Sequence, residues 1–207
     1  ERLVNIDCGS YTPAGVDEVG RFVAGFLADL GASVEVRPDP AGRLGATVIG
    51  TLKGSAAPGA RLLLIGHMDT VFDPGTVAER PFAIADGIAT GPGVTDMKSG
   101  LLAGLYAIKA LTGAGPLPFE RLTYVANPDE EIGSPPSPPH IREIAAESDV
   151  CLVLECARAN GDIVSSRKGI LDARITIHGR AAHSGVEPEK GRSAVLAAAD
   201  LVTRLHA

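Results

Sequence analysis

The stretch Arg61-Leu62-Leu63-Leu64-Ile65-Gly66-His67-Met68-Asp69-Thr70 decides the fold. Its first half is a continuous apolar run, short enough for a strand and lacking the alternation that one wet face would impose, so it suits a strand buried on both faces of a sheet. Its second half turns abruptly polar and puts a His-x-Asp pair where that strand ends. Two later stretches repeat the design: residues 122–126 run into Asn127-Pro128-Asp129-Glu130-Glu131, and residues 150–154 run into Glu155. A fourth polar motif, Gly91-Pro92-Gly93-Val94-Thr95-Asp96, leads into a predicted helix.

Helical patterns lie between these runs. Val19, Phe22, Val23, Phe26, Leu27 and Leu30 form one stripe of a helix that Gly31 ends, and Leu101, Leu102, Leu105, Ile108 and Leu111 form the stripe of a second over residues 98–111. Residues 33–37 and 46–52 are further strands, and a short helical segment falls at 141–147. Strands alternating with helices predict an α/β fold, a mostly parallel sheet with helices on both faces.

The pattern changes near Lys168. Leu171, Ala173, Ile175 and Ile177 alternate with Asp172, Arg174, Thr176 and His178, as in a strand with one wet face, and Val195, Leu196, Ala199, Val202 and Leu205 then give a last helix. A boundary placed there predicts a domain over 1–167 and the start of a smaller α+β domain over 168–207. The chain opens on Glu1 rather than Met and stops at Ala207 directly after a periodic segment, which predicts a piece of a longer protein. With the natural N-terminus in doubt, a cytoplasmic location is expected while a periplasmic or secreted one stays open.

Composition narrows the chemistry. In 207 residues, 25 Asp and Glu outweigh 19 Lys and Arg for a net charge of −6, and no basic block stands out, which argues against nucleic acid or an anionic membrane as partner. No apolar run approaches the roughly 18 residues of a membrane span. Three cysteines are too few for a disulfide scaffold, and none belongs to a Cys-x-x-Cys pair.

Ligands of open parallel sheets bind at the carboxyl ends of the strands, so the four polar motifs are positioned to converge on one crevice. Singly, a His-x-Asp pair, a Glu-Glu pair and a Gly-x-Gly turn are weak signals. A phosphate site is disfavoured, since Asp96 puts negative charge where an anion would lie. Together they place one His and several carboxylates at the ends of apolar strands, where charge is costly without compensation and a divalent metal supplies it. A His/carboxylate set without Cys suits zinc, or cobalt or manganese, and a carboxylate can bridge two metals in a hydrolytic site. Such a site still needs a nearby base, and adjacent glutamates let one ligate while the other serves bound water.

Gly66-His67-Met68-Asp69-Thr70-Val71, residues 91–100, Asp129-Glu130-Glu131-Ile132-Gly133-Ser134, Glu155 and Ala182-His183-Ser184-Gly185 resemble, in order and spacing, the co-catalytic zinc exopeptidase family. That family includes glutamate carboxypeptidase, acetylornithine deacetylase, succinyl-diaminopimelate desuccinylase and aminoacylase. The resemblance implies two zinc ions: His67 and Glu155 on one, Asp96 bridging, Glu131 on the other. It implies that Asp69 orients the His67 imidazole, that Glu130 is the general base, and that His183, on a lid domain, stabilises the oxyanion and can do so across a homodimer formed through that lid. The family's further zinc-ligand His and its substrate-carboxylate Arg would lie beyond Ala207, so the piece alone is expected to be inactive.

The activity implied is metal-dependent hydrolysis of an amide bond next to a free carboxylate, of the glutamate carboxypeptidase kind, on a small peptide or N-acyl amino acid. Deacetylation or desuccinylation of N-acyl amino acids is the rival within the same chemistry. A non-catalytic binding or dimerising module is the rival from another class, and the intact set of ligands and base counts against it.

Overall fold

The computed structural model describes residues 1–169 and 173–206. The chain divides into two compact units, Glu1–Ile163 and Val164–Ala207, the division falling just before Lys168.

The first unit is built on a five-stranded sheet. Its strands are β1 (Ser33–Arg37), β2 (Thr47–Lys53), β3 (Arg61–His67), β6 (Arg121–Asn127) and β7 (Val150–Val153), in the spatial order β1-β2-β6-β3-β7. β6 and β3 pair in parallel, as do β3 and β7, whereas β2 runs antiparallel to both β1 and β6. Four strands thus share one direction and β2 opposes them, which makes the sheet mostly parallel. Side chains alternate across it. Val48, Leu52, Leu64, Leu122, Tyr124 and Ala126 join the main core with α1 (Pro13–Asp29) and α3 (Ser99–Ala114). Ile49, Leu63 and Val125 point the other way, where Ile141 and Ile144 of α4 (Pro138–Ala146) pack on them. Helices therefore cover both faces.

Helix α1 starts earlier than its predicted stripe. Pro13 occupies its first turn, where a missing N–H costs nothing, and Val16 extends the buried row of Val19, Val23 and Leu27. Gly31, at φ +84°, follows its end. A short helix α2 (Thr76–Glu79) and a hairpin of β4 (Ala83–Ala85) and β5 (Ile88–Thr90) follow β3; the hairpin turns on Asp86-Gly87, both at positive φ. Such a two-residue Asp-Gly turn matches the twist of paired strands.

Two sequence expectations need correction. The run at 150–154 predicts a strand buried on both faces, yet β7 is the sheet's edge, with Val150, Leu152 and Val153 exposed at 44%, 52% and 59%. An apolar run reports what a strand avoids, not whether a neighbour covers it. The strand predicted over 171–177 falls partly outside the described residues, and Ala173–Gly179 forms no strand. A strand needs a ladder partner, and among the described residues only the isolated bridge Arg180–Arg192 follows.

The second unit holds a short 3₁₀ turn, Pro188–Lys190, and helix α5 (Ala194–Leu205). Ser193 caps α5 by accepting a hydrogen bond from the Leu196 amide at 3.1 Å. No helix of the described residues is long and apolar enough to cross a membrane.

Candidate metal centre and active site

Three adjacent parallel strands bring the site together. His67, the last residue of β3, is level with Asn127 of β6, and Ile65 is level with Val153 of β7. The chain leaves all three strands at one height and delivers His67 and Asp69, then Glu130 and Glu131 on a 3₁₀ turn (Glu130–Ile132), then Glu155. Asp96 comes from the segment Val94–Lys98 that leads into α3. A Cβ on Gly66 would lie 2.8 Å from Met97 Cε, and one on Gly100 would collide with the Leu154 carbonyl oxygen. Because neither residue has a side chain, the start of α3 lies directly against the ends of β3 and β7, within range of both ligand loops.

His67 is buried, 1% exposed. Its Nδ1 lies 3.0 Å from the main-chain oxygen of Asp69 and 3.4 Å from Asp69 Oδ1. Both are acceptors, so Nδ1 carries the hydrogen and the main-chain oxygen is its nearer partner. Nε2 faces Asp96 Oδ1 at 3.0 Å, Glu155 Oε1 at 3.4 Å and Glu130 Oε2 at 3.9 Å. Burial pulls the His67 pKa down, but hydrogen bonding to Asp69 and the charges of Asp69 and Glu155 outweigh it, raising the pKa to about 9. The Glu131 carboxyl is pushed up to about 7, by burial first and then by the charge of Asp96, with His67 opposing. Neighbouring negative charge contributes to both shifts, from Asp69 and Glu155 at His67 and from Asp96 at Glu131.

Asp69 organises the buried side of the site. Its Oδ1 accepts the Glu130 amide at 3.1 Å, and its Oδ2 accepts the Glu131 amide at 3.2 Å and the Ser10 hydroxyl at 2.6 Å. One carboxylate therefore ties the imidazole-bearing strand to the turn that carries both glutamates. Asp129, first of the three acids in that run, takes a different part. It is fully buried and accepts hydrogen bonds from Asn127 Nδ2 at 3.2 Å and the Ser137 amide at 3.1 Å, which shapes the turn and leaves Glu130 and Glu131 to face the crevice.

Among the described residues, two groups of side chains bring ligating atoms within 4.8 Å of one another: His67, Glu130 and Glu155, and His67, Asp96 and Glu131. The donor set is one imidazole and four carboxylates, with no thiolate; the buried cysteine, Cys8, donates to the Met68 carbonyl oxygen at 3.2 Å. A borderline or hard divalent cation fits that set, and it offsets the charge that lifts the Glu131 pKa. His183 lies in the second unit on an exposed loop, its Nδ1 accepting the Gly185 amide at 3.1 Å.

Two residues that the sequence reading passed over belong to this region. Ser10 reaches Asp69 across 59 positions of sequence, a contact that no local pattern announces. Lys98 is 1% exposed and donates from Nζ to the Ile6 carbonyl oxygen at 3.1 Å. Its burial is a fact of the fold, which the sequence around it does not announce.

Residues 63–205 match the model of peptidase family M20/M25/M40. The chain is 37% identical over 206 residues to carboxypeptidase G2 of Pseudomonas sp. (strain RS-16), covering 99% of this chain and 49% of that protein. It is 31% identical over 217 residues to succinyl-diaminopimelate desuccinylase of Dechloromonas aromatica (strain RCB), covering 98% and 54%. The fold is similar to that of aminopeptidase PepT from Bacillus cereus ATCC 10987, with a TM-score of 0.71, 24% identity and coverage of 98% of this chain and 54% of that one. The chain spans about half the length of these relatives. Matched by the family model over residues 63–205, the chain belongs to the M20/M25/M40 peptidase family.

Proposed function

We propose that this chain carries the metal centre of a zinc-dependent hydrolase that cuts an amide bond next to a free carboxylate, in the manner of a glutamate carboxypeptidase. The observation that carries the reading is the convergence on His67 Nε2 of carboxylates from three separate loops: Asp96, Glu130 and Glu155. The 37% identity to a protein named carboxypeptidase G2 supports the substrate class.

His67 and Glu155 would hold one zinc and Glu131 the second, with Asp96 between them. When bound, zinc polarises a carbonyl and lowers the pKa of water to about 7. Everything else falls to the chain. Asp69 holds the His67 ring with its Nδ1–H turned inward, so that Nε2 presents its lone pair to the crevice. Glu130, half-exposed, takes a proton from the attacking water at its carboxylate and returns it to the leaving amine. His183 would stabilise the developing oxyanion from the second unit, which we read as the start of a lid through which two chains pair.

The adjacent glutamates provide the test, in the longest natural form of the protein that contains these residues. Glu130→Ala is expected to keep its zinc and lose turnover by about 10²–10⁴-fold. Glu131→Ala is expected to lose zinc. Reversed phenotypes would overturn the division of labour.

A second reading, deacylation of N-acyl amino acids, is favoured by the 31% identity to a protein named succinyl-diaminopimelate desuccinylase. Rates on dipeptides with C-terminal glutamate, set against rates on N-acetyl and N-succinyl amino acids, separate the two.

A further inference from the structure

The N-terminal segment lies along the loop that follows β3. The Thr70 amide donates to the Cys8 carbonyl oxygen at 3.0 Å, Gly9 and Thr70 form a bridge, and a Cβ on Gly9 would strike the Phe72 carbonyl oxygen. The segment is pinned just before Cys8, where the Ile6 carbonyl oxygen accepts from the buried Lys98 ammonium and the Asp7 carboxylate accepts from the amides of Gly75 and Val77 at 2.8 and 3.0 Å. This places the Ser10 side chain, 5% exposed, 2.6 Å from Asp69 Oδ2.

An ionised carboxylate offers about four acceptor positions. On Asp69 the neighbours are the Glu130 amide and His67 Nδ1 at Oδ1, and the Glu131 amide and the Ser10 hydroxyl at Oδ2. Three of these belong to the ligand-bearing loops. Ser10 is the exception, an outside anchor donating from a different part of the chain. With Asp69 itself 1% exposed, solvent has little access to replace a lost donor.

We infer that Ser10 is a positioning residue of the metal centre: its hydroxyl holds the Asp69 carboxylate in the one orientation that serves His67, Glu130 and Glu131 together. It touches neither metal nor substrate and acts through Asp69. The inference rests on the metal-centre reading for its functional consequence, but its structural content does not depend on bound metal.

The experiment therefore has two readouts on the whole chain, comparing Ser10→Ala and Ser10→Thr with the parent. Without metal, amide hydrogen exchange is followed at Glu130 and Glu131, with the β6 amides as internal control. Ser10→Ala is expected to speed exchange at Glu130 and Glu131 by about tenfold or more while β6 keeps its protection, and Ser10→Thr, which retains the hydroxyl, is expected to match the parent. With zinc chloride titrated against a competing chelator, Ser10→Ala is expected to bind about 10–100-fold more weakly, again with rescue by Thr. Unchanged exchange at the two glutamates, or equal acceleration throughout β6, would overturn the inference. So would a Thr variant that behaves like Ala, and that comparison with the parent still decides the matter should Ser10→Ala not fold. A parent chain that takes up no zinc would instead overturn the metal-centre reading, leaving the exchange experiment to judge Ser10.

Discussion

β3 and β7 are hydrogen-bonded neighbours that look alike in sequence, each an apolar run ending in a proposed ligand, yet the protein treats them differently. β3 is central, and the two side chains it delivers, those of His67 and Asp69, are no more than 1% exposed, with fixed partners. β7 is an edge, and the Glu155 it delivers is 26% exposed. One arm of the site is held by the protein before any metal arrives. The other ends in Glu155, a more exposed side chain that faces His67 Nε2 at 3.4 Å.

The sharpest way to break this contrast is to truncate an equivalent leucine on each strand. Leu64, 6% exposed, touches the main core, so Leu64→Ala is expected to cost about 2–5 kcal/mol. Leu152, its register partner on β7, is 52% exposed, and Leu152→Ala is expected to cost less than about 1 kcal/mol. Urea unfolding of the two variants is the measurement, and equal losses would mean that β7 is as well packed as its neighbour.

At the ends of the strands the contrast becomes one of metal affinity. Asp69→Asn on the β3 arm is expected to weaken zinc binding by about 10–100-fold although Asp69 is no ligand, because it removes an acceptor for the His67 ring and the glutamate turn. Cys156→Ala, beside Glu155 on the other arm and exposed, is expected to change affinity by less than about twofold. Competition titration compares them.

A smaller effect is a pH dependence confined to the metal-free chain. Folding raises the pKa of His67 from 6.5 to about 9 and that of Glu131 from 4.5 to about 7. Groups raised on folding lend stability that is complete below their unfolded pKa and is lost as pH rises through the folded one. In the presence of chelator, the melting temperature is therefore expected to fall from about pH 5 to about pH 9, Glu131 carrying the lower part and His67 the part above about pH 6.5, so that His67→Gln removes the upper part. Asp149, held down to about 2 by Arg61, acts in the opposite sense and only in acid, so it does not enter this window. Zinc is expected to flatten the profile, since the metal takes the place of the proton.

How much of this was legible in the sequence follows from what local pattern encodes. The run at 61–70 shows both a strand and the polar switch at its end, because apolar continuity and its abrupt loss are local facts; the same holds for the α1 stripe and the Glu130-Glu131 pair. Exposure is not local. Residues 150–153 read as buried because the sequence does not say that nothing flanks them among the described residues. The alternation over 173–177 likewise promises a strand without promising a partner. The roles within Asp129-Glu130-Glu131 depend on which side chains turn inward, and Ser10 depends on a fold that brings it 59 positions along the chain to Asp69. The Asp86-Gly87 hairpin carried a local turn signal that the sequence reading did not use.

The ends of β3, β6 and β7, with the loop before α3, are proposed to form one metal centre hinged on His67. Zinc titration of the folded, metal-free chain by calorimetry tests it most directly. Tight uptake of about one zinc ion per chain is expected, with a second bound weakly at most and the tight site lost in His67→Ala with the fold intact. A folded parent chain that takes up no zinc, or a His67→Ala variant that binds as tightly as the parent, would contradict it.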